Sequence, residues 1–464
     1  MSGYLSTENP LTVFVWRLTA EGIDLDGFEV EQRDEVFEGG RHLSMLPLIG
    51  RSFTCASVKS MSNARSNIFP KGFTWGTATA AHQVEGGNWN NDWWDWEHRP
   101  NTVCKEPSGD TCDHYNLFPQ DIEMLAKLGF DNYRFSVEWS RIEPEDGEFS
   151  QAELNHYRAV IDACRANNIT PVVTLHHFTT PRWVAAMGGW TNDSTADLFA
   201  RFSEKVAKSI GQDVGKWCTI NEPNMVATIG YLLGEFPPGT KSREARRKAN
   251  DVFCRAHEKS RDAVKSVSNA PLGITLAMQE YTINVEDESH RSAAEAMRNQ
   301  AWDGLEDCFL EVAKGDDYFG VQTYTRERFD QNGRIKPGED MRKTIMGYEF
   351  RPQALEACIR RAWDKTGNVP IIVTENGIAT SDDNERIEYV HGALEGVLTC
   401  IADGIDIRGY TYWSLMDNFE WTYGYGPTFG LVACDWKTQK RTPRPSAHWL
   451  GNIAKSNTLA PRPA

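Results

Sequence analysis

The chain has 464 residues, of which 40% are hydrophobic and 25% are charged, and its formal net charge is −16. This acidic balance argues against nucleic acid and anionic lipid as partners, because both are bound through clustered lysine and arginine. No apolar run approaches the roughly 20 residues that a membrane-spanning helix needs, so we expect no membrane span.

Residues 1–65 differ from the rest of the chain, because they show no sustained apolar period of strand or helix type. Two interpretations stay open: a disordered N-terminal extension, or an overlong gene assignment in which Met61 is an alternative start. The first residues lack a basic segment followed by an apolar core, so we predict no signal peptide and expect a cytoplasmic location.

The ten cysteines are scattered, without a Cys-x-x-Cys pair or a Cys/His group at zinc spacing. We interpret them as buried reduced thiols, and we expect neither a metal nor an organic cofactor. The closest pair, Cys104 and Cys112, flanks a short loop and would close a disulfide in an oxidising compartment.

From Phe69 onward, short β-rich apolar runs alternate with longer amphipathic stretches, which is the pattern of βα units around a parallel sheet. We predict eight strands, at Phe73–Thr79, Asn132–Trp139, Thr170–Phe178, Lys216–Asn221, Leu272–Met278, Tyr318–Tyr324, Pro370–Glu375 and Ile407–Leu415. Helices are predicted at Gln120–Leu128, Gln151–Asn167, Ser194–Ile210, Lys248–Val267 and Gln353–Thr366.

These numbers and lengths predict the α/β class and a (β/α)₈ TIM barrel, with a single catalytic domain over residues 66–454. A doubly wound open sheet is the alternative. Residues 455–464 are polar with two prolines and are predicted to be a tail.

Several predicted strands end in polar or aromatic residues that a buried strand would not favour. They are His176-His177, Asn221-Glu222, Gln322-Thr323-Tyr324, Glu375-Asn376 and Trp413-Ser414. Parallel barrel strands all end at the same mouth, where barrel enzymes keep their chemistry. The sequence therefore predicts one functional cluster there.

Two of these strand ends carry glutamates in comparable contexts. Glu222 lies in Thr219–Pro223 at the end of the fourth strand, and Glu375 lies in Thr374–Gly377 at the end of the seventh. Glycosidic cleavage with retention needs two carboxyl groups about 5–5.5 Å apart, one to protonate the leaving oxygen and one to attack the anomeric carbon. This pair predicts a retaining glycoside hydrolase.

Together with the motifs Phe73–Gly86, Tyr133–Arg141 and Tyr412–Trp421, these glutamate motifs resemble glycoside hydrolase family 1, the β-glucosidase and β-galactosidase family. The similarity runs from Phe69 to Gly451. It implies hydrolysis of terminal β-D-glucosyl residues, and also of galactosyl or fucosyl residues, by double displacement. The partners implied are small β-linked sugars or aryl and alkyl β-glycosides.

The resemblance also implies roles for individual residues. Glu222 would be the acid/base and Glu375 the nucleophile, with Arg134 and Tyr324 as partners of the nucleophile and Asn221 as the ligand of the 2-hydroxyl. A sugar needs hydrogen-bonding groups for its hydroxyls and an apolar platform for its C–H face. The residues implied in substrate binding are Gln83, His177, Asn221, Trp413, Glu420, Trp421 and Phe429.

Two residues narrow the expected chemistry. Relatives that cleave 6-phosphoglycosides have a small residue at the position of Glu420, whose carboxylate here would repel a phosphate. Myrosinases have glutamine in place of the acid/base, whereas this chain has Glu222. An ordinary O-glycosidase is therefore expected, with a transglycosylase and a non-catalytic sugar-binding relative as the alternatives.

Three departures from the family pattern concern substrate contacts. Gln322 stands where asparagine is frequent, Phe178 stands where tryptophan is frequent, and Thr428 stands where arginine is common. The cluster Trp89, Trp93, Trp94 and Trp96 is expected either to line the entrance or to support its rim. The sequence leaves sugar preference and oligomeric state open.

Overall fold

Eight parallel strands close into a barrel in the computed structural model, which describes residues 66–462. They are β1 (Thr74–Ala78), β2 (Asn132–Ser136), β3 (Thr170–His176), β4 (Lys216–Asn221), β5 (Leu272–Ala277), β6 (Phe319–Gln322), β7 (Ile371–Asn376) and β8 (Ile407–Trp413). Each strand pairs with its neighbours in chain order, and β8 pairs with β1 to complete the ring. The predicted (β/α)₈ barrel is confirmed, and the open sheet is excluded. The prediction for residues 1–65 lies outside the described residues.

Within residues 66–462, one long helix follows each barrel strand. These helices are α1 (His114–Leu128), α2 (Gln151–Ala166), α3 (Thr195–Ile210), α4 (Arg243–Lys265), α5 (Arg291–Trp302), α6 (Ala354–Lys365), α7 (Asp383–Ala402) and α8 (Pro445–Ser456). In α3 the residues Phe199, Phe202, Val206 and Ile210 recur at three- and four-residue spacing and are buried, so one apolar stripe faces the barrel.

Shorter elements decorate this frame within the same residues. A small three-stranded sheet is formed by Glu280–Ile283, Arg326–Asp330 and Gly333–Ile335. A two-stranded sheet is formed by Val432–Cys434 and Arg441–Pro443. Short helices are found at Ala81–Val84, Asp92–His98, Trp139–Ile142, Arg182–Ala186, Gly189–Thr191, Gly211–Asp213, Pro223–Met225, Val226–Leu233, Glu288–His290, Asp303–Asp307, Cys308–Val312, Ala313–Gly315 and Trp421–Tyr423.

The start of α1 differs from the prediction. The sequence predicts a helix from Gln120, the residue after Pro119. The helix instead begins at His114 and keeps Pro119 in its interior. Its end follows the sequence signal, since Gly129 has φ +113° and its amide reaches back to the carbonyls of Leu125 and Ala126.

The two ends of the described chain meet on the barrel surface. The Asn67 amide donates to the Leu459 carbonyl at 3.2 Å, and the Phe69 amide donates to the Asn457 carbonyl at 3.0 Å. The predicted tail boundary at Lys455 needs correction, because α8 runs to Ser456 and the Leu459 side chain is buried. Residues 455–459 are held by contacts with residues 66–70. The polar composition of the predicted tail did not indicate these contacts.

The nine cysteines within residues 66–462 are free thiols, five of them in the barrel strands and long helices and most of them buried. Cys104 and Cys112 are both free, and Cys112 donates to the Asp417 carbonyl at 3.1 Å instead of closing a disulfide. Across that same part of the chain, each helix lacks the length or the apolar character needed to cross a membrane.

Candidate active site

A cavity opens where the barrel strands end. The catalytic candidates Glu222 and Glu375 both line it, together with residues that follow β1, β3, β5, β6 and β8. Its walls are formed by Gln83, His177, Phe178, Glu222, Met225, Ile229, Glu235, Phe236, Ala277, Met278, Gln279, Gln322, Tyr324, Thr325, Met346, Tyr348, Glu375, Trp413, Glu420, Trp421, Thr422, Tyr423 and Phe429. The predicted cluster at the barrel mouth is therefore present.

Glu222 is aimed by an irregular strand end. The pairing of β4 with β5 shifts register between Cys218 and Asn221, and Glu222 itself has the left-handed backbone conformation φ +45°. Pro223 then starts a short helix with its fixed φ. A left-handed non-glycine residue is uncommon and is retained when its surroundings fix it, which is frequent at active sites.

Glu375 is held by two donors. The Arg134 guanidinium on β2 donates to Oε1 at 2.6 Å, and the Tyr324 hydroxyl donates to Oε2 at 2.7 Å. Arg134 is 1% exposed and Glu375 is 4% exposed, so this ion pair is shielded from water. The pairing of β6 with β7 also shifts register just before Glu375, and irregularities of this kind are frequent beside active sites.

The surroundings of the two carboxyl groups give them different pKa values. Burial and the negative charge of Glu375 hold the pKa of Glu222 well above its usual range. Burial also raises the pKa of Glu375, but the Arg134 charge and the hydrogen bond from Tyr324 oppose that rise. Glu222 is consequently the group that keeps a proton, and Glu375 is the group that ionises first.

Asn221 directly precedes the acid/base candidate Glu222, and its side-chain amide is hydrogen-bonded to residues in or just after four other strands. Its Oδ1 accepts hydrogen bonds from Arg134 at 2.5 Å, from Gln322 at 2.9 Å and from Thr275 at 3.1 Å, and its Nδ2 contacts His177 Nε2 at 3.2 Å. Gln322, which departs from the family pattern, thus fixes the Asn221 amide. Asn221 and Arg134 stand behind the cavity wall, and the predicted contact of Asn221 with a 2-hydroxyl stays a prediction.

Gln83, Glu420 and His177 present polar atoms to the cavity. Gln83 Nε2 donates to the Phe419 carbonyl at 2.8 Å, while its Oε1 is buried without a partner. Burial and the charge of Glu375 raise the pKa of Glu420 to about 8. Burial and Arg134 lower the pKa of His177, whose Nδ1 is also buried without a partner. Unpaired buried polar atoms are costly, so these atoms are suited to sugar hydroxyls.

Aromatic rings surround these polar groups. The His177 ring stacks with Trp413 at a centroid distance of 5.8 Å and an interplanar angle of 18°. Phe429 lies 5.9 Å from Tyr324, edge to face. Trp93 packs against Trp421 at 4.5 Å and stands outside the cavity lining, so it supports the rim rather than lining the entrance.

Some lining residues were not found by sequence reasoning. Met225, Ile229 and Phe236 follow Glu222, while Met346 and Tyr348 come from the segment between β6 and α6. Their signal in the sequence is weak, because single apolar residues in loops are equally typical of core packing. Within residues 66–462, no three histidine, cysteine or acidic side chains gather as a metal-binding group.

Comparisons with known proteins agree with this geometry. The sequence model of Glycosyl hydrolase family 1 matches residues 65–333 and 313–459. The 1,4-beta-D-glucan glucohydrolase of Thermotoga neapolitana is 33% identical over 84% of this chain and 99% of that protein. The bifunctional beta-D-glucosidase/beta-D-fucosidase of Bifidobacterium breve is 31% identical over 82% of this chain and 97% of that protein.

The solved structure of the family 1 β-glucosidase from Thermotoga maritima superposes with a TM-score of 0.80 and 30% identity, covering 86% of this chain and 100% of that one. The barrel, the paired glutamates and the family match over most of the described chain are mutually consistent. The chain belongs to glycosyl hydrolase family 1.

Proposed function

We propose that the chain is a retaining β-glycosidase that removes terminal non-reducing β-D-glucosyl residues, and also accepts galactosyl or fucosyl residues. One observation carries this proposal. Two glutamates share a cavity, and Arg134 and Tyr324 stabilise the ionised form of Glu375 while burial keeps Glu222 protonated. Retaining hydrolysis needs one carboxylate and one carboxylic acid of this kind.

In the first step, the Glu375 carboxylate attacks the anomeric carbon while Glu222 gives its proton to the glycosidic oxygen. The C–O bond to the aglycone breaks, the aglycone leaves as an alcohol, and an ester joins Glu375 to the sugar. Loss of the negative charge on Glu375 removes one cause of the high pKa of Glu222. The carboxylate that Glu222 has become is then suited to act as a base.

In the second step, Glu222 takes a proton from water as the water oxygen attacks the anomeric carbon. The ester bond breaks, Glu375 regains its charge beside Arg134, and the sugar leaves with its original β configuration. Glu222 is then protonated and Glu375 is ionised, as they were before the first step.

The stereochemistry of the first product tests the proposal. The purified full chain would be mixed with 4-nitrophenyl β-D-glucoside, and the anomeric proton of the released glucose would be followed by NMR before mutarotation. We expect β-glucose to accumulate first. An α-glucose signal at the earliest times, or no hydrolysis of any β-glycoside, would contradict the proposal.

A variant of Glu375 tests its role separately. Glu375→Gly should reduce turnover to below about one thousandth, because the covalent step is lost. Azide can enter the vacated space and attack the anomeric carbon of an activated glucoside, giving α-glucosyl azide. Glu395→Gly, at an exposed position on α7, is the control for the substitution itself and should retain turnover. A β-glucosyl azide would contradict the nucleophile assignment.

A cytoplasmic location is part of the proposal. The nine free thiols of the described residues are suited to a reducing compartment, and the net charge of −16 does not favour nucleic acid or anionic lipid as partners. Fractionation of native cells would test the location, and recovery of the activity in the secreted fraction would contradict it.

A further inference from the structure

Two cysteines from different helices are neighbours where α4 packs against the segment that follows α5. Cys254 lies in the middle of α4, and Cys308 begins the short helix Cys308–Val312. Their thiols are hydrogen-bonded to each other, and Cys254 Sγ lies 3.8 Å from the Cys308 carbonyl oxygen. Sequence spacing predicted a different pair, Cys104 and Cys112, because distance along the chain does not show which helices pack together.

Hydrogen bonds on both sides of the two thiols fix their relative position. Four residues before each cysteine, Asn250 Nδ2 donates to the Gly304 carbonyl at 3.3 Å. Beyond them, Arg261 Nη1 donates to the Val312 carbonyl, four residues after Cys308, at 3.0 Å. The backbone around the two sulfur atoms is therefore held from both directions. A disulfide needs two cysteines that meet without a large movement of the backbone, and this arrangement meets that need.

The two thiols are also within reach of a small oxidant, because Cys254 and Cys308 are both partly exposed. Cys112 and Cys434 likewise contact each other through their thiols, but these two residues are only 0% and 8% exposed. Oxidation of a thiol depends on access and on thiolate character. Access therefore favours the pair formed by Cys254 and Cys308.

The surroundings make Cys308 the more reactive of the two sulfurs. The hydrogen bond from Cys254 lowers the pKa of the Cys308 thiol, and the positive charge of Arg246 adds to this effect, whereas burial opposes it. The same hydrogen bond and burial raise the pKa of Cys254. Cys308 is therefore the first of the two to form a thiolate, and the thiolate is the nucleophile in thiol chemistry.

We propose that Cys254 and Cys308 form a redox-sensitive pair, which hydrogen peroxide converts into a reversible disulfide between α4 and the helix Cys308–Val312. Neither cysteine lines the active-site cavity, so the inference does not depend on the proposed function. The two residues are 54 positions apart. A covalent link between them restricts the unfolded chain, and the oxidised protein gains stability while its active site is unchanged.

The oxidation proceeds in two steps. The Cys308 thiolate attacks one oxygen of hydrogen peroxide, an S–O bond forms, and the O–O bond breaks. The other oxygen leaves as hydroxide and takes up the proton that Cys308 had released, so the products are a sulfenic acid and water.

The second step closes the disulfide. The Cys254 sulfur attacks the Cys308 sulfur, the S–O bond breaks, and hydroxide leaves with the Cys254 proton as a second water. The two sulfurs together have given two electrons to hydrogen peroxide. A dithiol reductant returns these electrons and restores both thiols.

Peptide mapping of the unmodified full chain tests the inference. The protein would be treated with hydrogen peroxide, unfolded, alkylated and digested with trypsin without reductant. We expect a cross-linked species of residues 249–255 and 299–314 that is lighter by two hydrogens than the sum of the two peptides. The total of free thiols should fall by two from the ten of the full chain. Dithiothreitol should separate the two peptides again.

A substitution at one of the two cysteines provides a second measurement. Cys254→Ser removes the second thiol, so peroxide should leave Cys308 as a sulfenic acid that dimedone labels. Cys104→Ser is the matched control, because Cys104 is also partly exposed, and it should form the cross-link as the unmodified chain does. Oxidation should raise the denaturant midpoint of the unmodified chain and of Cys104→Ser, but not that of Cys254→Ser.

Several outcomes would overturn the inference. One is oxidation of other thiols while residues 249–255 and 299–314 stay separate. Another is a disulfide between Cys112 and Cys434 that forms first. A loss of kcat/KM in step with the cross-link would contradict its separation from the active site. The map of the unmodified chain decides the matter even where Cys254→Ser does not fold.

Discussion

The partners of Glu375 determine how its charge depends on pH. Tyr324 donates to Oε2 of Glu375 at 2.7 Å, and this hydrogen bond stabilises the carboxylate form. Activity needs Glu375 ionised, so kcat/KM is lost as pH falls through the pKa of Glu375. A contact that lowers this pKa extends activity toward acid.

Tyr324→Phe removes that hydrogen bond. We expect kcat/KM for an aryl β-glucoside to fall by about 10- to 100-fold, since hydrogen bonds to charged groups contribute about 1.5–3 kcal/mol. The acidic limb of the pH profile should also move to higher pH, because the pKa of Glu375 rises. Measurement of kcat/KM across the pH range checks both effects.

Tyr115→Phe is the matched control, because the Tyr115 hydroxyl also donates to a glutamate, Glu153, at 3.0 Å, and neither residue lines the cavity. Its profile should match that of the unmodified enzyme. An acidic limb that stays in place in Tyr324→Phe would show that the hydrogen bond does not tune Glu375.

Glu222 should control the opposite limb of the profile. Activity needs Glu222 protonated, so kcat/KM is lost as pH rises through its pKa, which burial and the Glu375 charge hold high. In Glu222→Gln, kcat/KM should fall by about 100- to 10,000-fold for alkyl glucosides, which need protonation. It should fall by less than about tenfold for 2,4-dinitrophenyl glucoside, and the basic limb should disappear for that substrate.

Rapid-mixing measurements complete this experiment. Because Glu222→Gln also lacks the base for the second step, dinitrophenol should appear as a burst of one equivalent per enzyme, followed by slow turnover. Equal losses for good and poor leaving groups would argue against Glu222 as the acid.

At the residue scale, the sequence predicted which glutamates to examine but not how their neighbours connect. The contexts of Glu222 and Glu375 are short motifs that can be recognised in a linear sequence. The three donors on Asn221 Oδ1 come from β2, β5 and β6, and no local pattern records which strands point to the same atom. The same reason explains why Met225 was missed.

At the element scale, all eight predicted strands are present, because buried parallel strands are continuous apolar runs. Their ends were less predictable. The register shifts before Asn221 and Glu375 depend on the neighbouring strand. The start of α4 was expected at Lys248, but the helix begins at Arg243 after Ser242, whose hydroxyl accepts from the Ala245 amide. The first turn of α4 is polar and has no apolar period, so the sequence pattern did not indicate that the helix starts there.

This cap predicts a measurable contribution to stability. Ser242→Ala leaves an amide at the start of α4 without its partner and should lower the free energy of unfolding by about 1 kcal/mol. Ser194→Ala is the control, because Ser194 stands at the same position before α3 but its side chain makes no capping hydrogen bond. Denaturant midpoints of both variants check the difference, and equal midpoints would contradict a role for the cap.

At the scale of the whole molecule, the described residues that line the cavity run from Gln83 to Phe429. The barrel is closed by hydrogen bonds between strands, and its surface joins the segment before β1 to the segment after α8. Phe69 packs against Trp75 at 4.7 Å, edge to face, and its amide binds the Asn457 carbonyl. We predict from these contacts that the structural unit starts close to Asn67.

A shortened chain tests this boundary. A protein that begins at Met61 keeps all of these contacts, so its kcat/KM and denaturant midpoint should equal those of the full chain. A protein that begins at Lys71 loses Phe69, whose ring is 2% exposed, and should be less stable by about 3–5 kcal/mol, the usual cost of removing a buried phenylalanine side chain. If the chain from Met61 lost activity or stability, the upstream residues would belong to the catalytic domain, and the domain boundary predicted at residue 66 would be wrong.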